Sequence, residues 1–208
     1  MAKPFLTDES RKALAEAVHA VEASSSAELV VAVRARSGSY MAAALLAGIV
    51  AGYGTLAFLL FSPWEFGLAW FLVDPMLAGA LAALAALRIP ALTRLLSRRA
   101  TRLRHVTTAA QATFVEKGMD RTAGRTGILL YISLLEREAE VVVDAGVEAL
   151  AATDVWRQAT GAIAEAVRRG ADGIEVAGKI RALAGILASA LERRADDVNE
   201  LPNEVCAP

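Results

Sequence analysis

The 208-residue chain is 55% hydrophobic and nearly neutral, with 22 Lys and Arg against 23 Asp and Glu, and carries one cysteine, Cys206. A single cysteine excludes a disulfide framework and a cysteine metal site. No GxxxxGK[ST], HExxH, GxSxG, GxGxxG or CxxC pattern occurs, which removes the common nucleotide, zinc-hydrolase, serine-hydrolase, dinucleotide and redox readings. The opening residues, MAKPFLTDESRK, lack the apolar run of a secretory signal, so cleavage or export of this end is not expected. Thr7 reads as the N-cap of a helix, with Asp8 and Glu9 in its first turn and Leu14, Val18 and Val21 on one face. The serines at 24–26 end it. ELVVAVRA, residues 28–35, is apolar on both faces apart from Glu28 and Arg34, the pattern of a strand buried on two sides.

Between Arg36 and Arg88 the only charged side chains are Glu65 and Asp74. Two apolar stretches fill this interval, one opening at Tyr40 and closing at Phe61, the other opening at Phe66 and closing at Leu87. At about 1.5 Å per helical residue each spans roughly 33 Å, close to the thickness of a bilayer core. A transmembrane hairpin inserted into a soluble domain is therefore predicted, with the lipid bilayer as its partner. Asp74-Pro75 allows two readings. Asp74 is either an intramembrane carboxyl, which invites a transport role, or an N-cap with Pro75 as the first helical residue, which makes 63–73 a separate interfacial piece. The adjacent proline favours the cap. Small residues at four-residue spacing, Ala44, Gly48 and Gly52 on one span and Gly79 and Ala83 on the other, suit close packing within the hairpin.

Arg34 and Arg36 precede the first span and Arg88, Arg94, Arg98, Arg99, Arg102 and Arg104 follow the second, whereas the connection at 62–65 has no basic residue. This asymmetry predicts an integral cell-membrane protein with its soluble domain in the cytoplasm. The basic run abuts an apolar segment, so lipid headgroups are its nearer counter-charge and nucleic acid is not an expected partner.

Beyond the hairpin, residues 98–117 read as a helix closed by Gly118, and 120–126 (DRTAGRT) as a turn. GILLYISL (127–134) and AEVVVD (139–144) read as an antiparallel pair joined by a solvated Glu136-Arg137 turn. Helices are expected over 154–169 and 172–194, with Val155, Ala159, Ile163 and Val167 in register on the first and Val176, Ile180, Leu183, Leu187 and Leu191 on the second. The domain division that follows is 1–37 for the first part of a soluble domain, 38–88 for the hairpin, 89–195 for the basic segment and the rest of that domain, and 196–208 for an acidic tail.

The order of a helix, SSAELVVAVRA, a crossing helix, RTGILLYISLLEREAEVVVDAG, a helix bearing Trp156 and a last amphipathic helix resembles the TPM domain, over about 5–36 and 100–191. The resemblance implies an α/β/α sandwich with a short mixed sheet, here interrupted by the two-helix hairpin. It also implies partner-binding or assembly roles, with acid phosphatase activity and calcium binding in plant members. The chain departs from the commoner form, in which a signal peptide leads and an anchor trails the domain.

Asp144, at the end of VVVD and before Ala145-Gly146, is the best carboxylate candidate, since strand ends are where side chains converge on a crevice; its alternative is to bind turn amides. Glu28 can face the same rim, and Arg125 and Thr126 can meet an anion there. Asp154 and Asp172 at helix starts read as N-caps, and with Asp144 they are the candidates for a calcium or magnesium site, which needs several converging oxygens. His19 and His105 have no second ligand at helical spacing. The function expected is a membrane-anchored TPM-like module that binds a partner protein or small ligand at the cytoplasmic surface; the alternative is a divalent-cation-dependent phosphatase-like hydrolase.

Overall fold

The computed structural model describes residues 5–122 and 124–191, so Cys206 and the acidic tail at 196–208 lie outside the described residues. In chain order the elements are α1 (Asp8–Ser24), β1 (Glu28–Arg34), α2 (Met41–Phe61), α3 (Leu68–Arg88), α4 (Pro90–Leu96), α5 (Arg99–Glu116), β2 (Gly127–Ser133), β3 (Glu138–Val143), α6 (Glu148–Ala151), α7 (Asp154–Arg169) and α8 (Gly173–Ala190). They form two units, one drawn from the segments before Gly38 and after Arg102, the other from Gly38–Arg102.

The first unit is a mixed α/β fold. Its sheet has the order β1-β2-β3, with β1 parallel to β2 and β3 antiparallel to β2. Alternation along the strands sends Leu29, Val31, Val33, Ile128, Leu130 and Ile132 into one apolar cluster, built with α1, α7 and α8. Val30, Ala32, Leu129 and Tyr131 go to the other face, against Val106, Ala110 and Phe114 of α5. Six of the seven residues of β1 are buried, as expected of a strand covered on both faces. Thr7 caps α1, its hydroxyl accepting from the Ser10 amide at 3.1 Å. Gly118 closes α5 with φ 68°, the left-handed conformation in which glycine is favoured. The final helix is described from Gly173 to Ala190, within the span expected from its periodicity.

The second unit holds two apolar helices of 21 residues each, α2 and α3, long and apolar enough to cross a membrane. They pack closely. A Cβ built on Gly48 would sit 2.8 Å from the Gly79 carbonyl oxygen, and one on Gly79 2.9 Å from that of Gly48. The small residues singled out in the sequence are thus where the two backbones meet. Most large side chains elsewhere on these helices, among them Leu45, Ile49, Val50, Leu72 and Met76, are exposed.

The expected cap at Asp74 is corrected. The helix α3 begins at Leu68, after Gly67, and runs through Asp74 with Pro75 inside it. The apolar run ahead of the proline offers no polar side chain to halt the helix, and Trp70 N already donates to Gly67 O at 3.0 Å. Proline forfeits the bond to the Phe71 carbonyl. The opposing chain leaves it room, since Gly52 faces the Pro75 carbonyl at a distance, from a built Cβ, of 3.0 Å. Residues 63–73 are therefore not a separate interfacial piece.

Gly48→Ala is expected to destabilise the purified protein by about 1–3 kcal/mol, because the methyl group meets backbone. Gly54→Ala, with nothing within 4 Å of the added carbon, is expected to stabilise it by about 0.5–1 kcal/mol through helix propensity. Thermal unfolding in detergent distinguishes the two; equal effects would mean that the close approach of the helices is wrong.

Candidate functional site

The sheet topology brings Glu28, Arg125, Thr126 and Asp144 to one end. Glu28 lies opposite Gly127 in the parallel register, and the Asp144 amide donates to the Gly127 carbonyl on the other side at 2.9 Å. Arg125, at φ 53°, turns the chain so that its Nε lies 3.0 and 2.9 Å from the two Asp144 oxygens. The Asp144 carboxylate, 5% exposed, also accepts from the Ala145 amide at 2.7 Å. Gly146 N donates to Arg125 O at 2.9 Å, and a Cβ on Gly146 would lie 2.6 Å from that oxygen. Thr126 Oγ1 donates to Ser26 O at 2.7 Å, and Glu28 N to Thr126 O at 3.2 Å. These groups clamp the entry of β1 to that of β2 and the exit of β3.

Asp144 does follow the carboxyl end of a strand. That strand is antiparallel, however, so its end lies beside the amino ends of β1 and β2, opposite the edge where α/β sheets usually build a crevice. The turn-binding role foreseen for Asp144 is the one its contacts describe. Asp172 caps α8, accepting from Glu175 N at 2.9 Å. Asp154 is not a cap: Thr153 holds that position, accepting from Trp156 N, while Asp154 is exposed and pairs with Arg157 at 2.6 Å. The threonine one residue earlier wins because its backbone is already extended, the conformation that an N-cap requires. Among the described residues no three His, Cys, Asp or Glu side chains gather as a cation site would need.

The opposite end holds a cluster that sequence reasoning missed. Parallel pairing continues past the strands, with Leu134 N donating to Arg34 O and Leu135 N to Ala35 O, both at 3.0 Å. This carries Ser37 over the β2–β3 turn. Ser37 N donates to Glu136 Oε1 at 2.9 Å, Ser37 Oγ donates to Ser133 Oγ at 2.7 Å and lies 3.1 Å from the Tyr131 hydroxyl, and Ser133 Oγ donates to Glu136 Oε2. Glu136 is only 2% exposed. The expected solvated turn is thus half wrong: Arg137 is exposed, at φ 54°, but Glu136 points inward. The available signal was Ser133 three residues before Glu136, a spacing at which hydroxyl and carboxylate can meet across a turn. Chemically the cluster is a network in which three hydroxyls and a carboxylate are linked by hydrogen bonds; it holds Ser37 at the end of the strand pair.

On the edge strand, burial pushes the Glu140 carboxyl above the ordinary glutamate range, and the neighbouring Glu138 charge pushes it further the same way. Glu138 itself is buried and lies 3.5 Å from Arg168 of α7. Carboxylates along an edge strand discourage pairing with another chain.

No family model and no curated protein matches the chain. Among solved structures, the NMR structure of the BA42 protein from the psychrophilic bacterium Bizionia argentinensis is similar, with a TM-score of 0.59 and 18% identity, covering 100% of this chain and 99% of that chain. At that identity the likeness is one of fold.

Removing the Glu136 side chain leaves the buried Ser133 hydroxyl and the half-buried Ser37 amide without their acceptor, so Glu136→Ala is expected to lower stability by about 2–3 kcal/mol. The corresponding figure is about 1–2 kcal/mol for Asp144→Ala, which loses a cap. For the exposed partner, Arg125→Ala, it is below about 1 kcal/mol. Urea unfolding that ranked Arg125→Ala above Glu136→Ala would overturn this assignment. Because the Glu140 carboxyl is raised in the folded state, the native protein holds more protons than the unfolded chain between the ordinary and raised values, and stability falls as pH rises through that window. Glu140→Gln is expected to flatten this slope and to stabilise the protein at neutral pH.

Proposed function

We propose that the chain is a membrane-anchored module, related to the TPM domain, whose α/β unit stands at the cytoplasmic surface and binds a partner protein or a small ligand there. The observation that carries this reading is the two 21-residue apolar helices, entering the chain between two strands that pair side by side. A core helix of a soluble protein hides its large side chains. Here Leu45, Val50, Phe61, Leu68, Leu72 and Met76 are each more than half exposed, and leaving such a side chain in water forgoes roughly 1.5–3 kcal/mol. Hydrocarbon is the solvent that suits them.

Orientation is supported by charge. Arg34 and Arg36 lie ahead of α2, Arg88 ends α3 and Arg94, Arg98, Arg99, Arg102 and Arg104 follow it, whereas the α2–α3 connection has Glu65 and no basic residue. Exposed Trp64 and Trp70 lie at that connection, as aromatic side chains do at a membrane interface. The TPM relation is supported by the order of elements: a helix, a buried strand, a crossing helix, an antiparallel strand pair and two closing helices. Binding is favoured over hydrolysis because the candidate carboxylates already have structural work: Asp144 with Arg125 and Ala145, Asp154 with Arg157, Asp172 with Glu175.

Alkaline carbonate is expected to leave the protein in the membrane pellet. In a Cys206→Ser background, Glu65→Cys is expected to react with a membrane-impermeant maleimide on intact cells, and Arg137→Cys only after lysis. The reverse pattern would invert the orientation, and release by carbonate would remove the anchor. Purified protein is expected to leave phosphate esters intact with calcium or magnesium; cation-dependent turnover lost in Asp144→Asn would put the hydrolase first.

A further inference from the structure

Directly after α3 the backbone is extended at Ile89, with φ −101° and ψ 104°, and Pro90 starts α4 as its first residue. Proline suits that position because the amide it lacks has no helical partner there. The short helix is fastened at both ends. Thr93, 3% exposed, donates its hydroxyl to the Ala86 carbonyl at 2.6 Å, tying α4 back to the last turn of α3. Arg102 Nη1 donates to the Arg94 and Ser97 carbonyls at 2.7 and 2.6 Å, satisfying carbonyls at the C-terminal end that the helix itself leaves open. What remains outward is apolar and cationic: Ile89, Leu95 and Leu96 are exposed, Leu95 to 81%, and so are Arg88 before the helix and Arg98 and Arg99 after it. No acidic residue occurs from Pro75 to Val115.

We infer that α4 and its flanking arginines form a binding surface for anionic phospholipid headgroups of the leaflet that α3 enters. The inference rests on the membrane-spanning reading above and adds the class of lipid. Leucine and isoleucine side chains suit the acyl boundary, and arginine stems lie along apolar surface while their guanidinium groups reach the phosphates. A zwitterionic headgroup offers no net charge to the exposed guanidinium groups of Arg88 and Arg98, whereas an anionic one does. Arg102 is committed to the helix end and holds the surface in shape.

The test uses the full chain reconstituted in phosphatidylcholine bilayers, with spin-labelled phosphatidylglycerol or phosphatidylcholine as the probe and the motionally restricted fraction as the readout. Phosphatidylglycerol is expected to be favoured roughly fivefold at low salt, about what one arginine at a charged surface supplies, and less as salt is added. The double variant Arg88→Gln, Arg98→Gln is expected to bring the ratio near one, and lysine at both positions to retain it. Removing as many charges at Arg157 and Arg181 is expected to leave it unchanged. A wild-type ratio near one, or a ratio that survives the glutamine variant, overturns the inference while the anchor stands. Restriction of neither lipid overturns the anchor and the inference together.

Discussion

Seven residues of β1 lie in parallel register against seven of β2, from Glu28 opposite Gly127 to Arg34 opposite Ser133, and both apolar clusters are laid on the two faces of that pair. Without this pairing, α1 and α8 would have no sheet to cover, and α5 no opposite face. Parallel strands need a crossover. Here the crossover contains a second unit as well as α5, the helix that packs on the sheet and precedes β2. Two apolar helices packed backbone to backbone at Gly48 and Gly79 add little to the span to be closed, because an antiparallel hairpin brings its two ends together whatever its length. Loop-closure entropy grows only slowly with insert size, so the added cost is modest.

The clamps at the two ends of the strand pair divide the work. At the amino end, Asp144, Arg125, Thr126 and Gly146 join three chain segments through backbone groups and one ion pair. At the carboxyl end, Ser37, Tyr131, Ser133 and Glu136 form a hydroxyl and carboxylate network around the departing chain. The first fixes register where the strands enter. The second holds Ser37 against the turn between β2 and β3. A one-residue slip would exchange the faces of every strand side chain, and both clamps oppose it.

Local signals in the sequence were sufficient for most of the longer elements. Thr7, Gly118, Gly170 and Asp172 end or begin helices as their chemistry suggests, and two runs parted by the Glu136-Arg137 turn placed both strands of the hairpin. The short α4 and α6 were not read, since seven and four residues are too few for a period to emerge. Asp74 misled because Asp-Pro is a strong local cap signal, overridden by an apolar run that continues the helix on both sides. Glu136 misled for the opposite reason. The nearby Ser133 is a faint signal, and the rest of its burial depends on Ser37 arriving from 99 positions away. The site was legible as a list of residues and not as an arrangement, because which strand end lies beside which follows from pairing direction alone.

The parallel register also sets a schedule for synthesis. β1 leaves the ribosome early, but among the described residues its one strand partner is β2, which follows the entire inserted unit. At about 5–20 residues per second, the interval between Arg34 and Gly127 lasts roughly 5–20 s. Throughout that time LVVAV, buried on every side in the finished protein, has no ladder to join. The nascent chain therefore carries an unmatched apolar strand next to the point where its first apolar helix begins, and the order of events is imposed: the hairpin is made before the sheet can close.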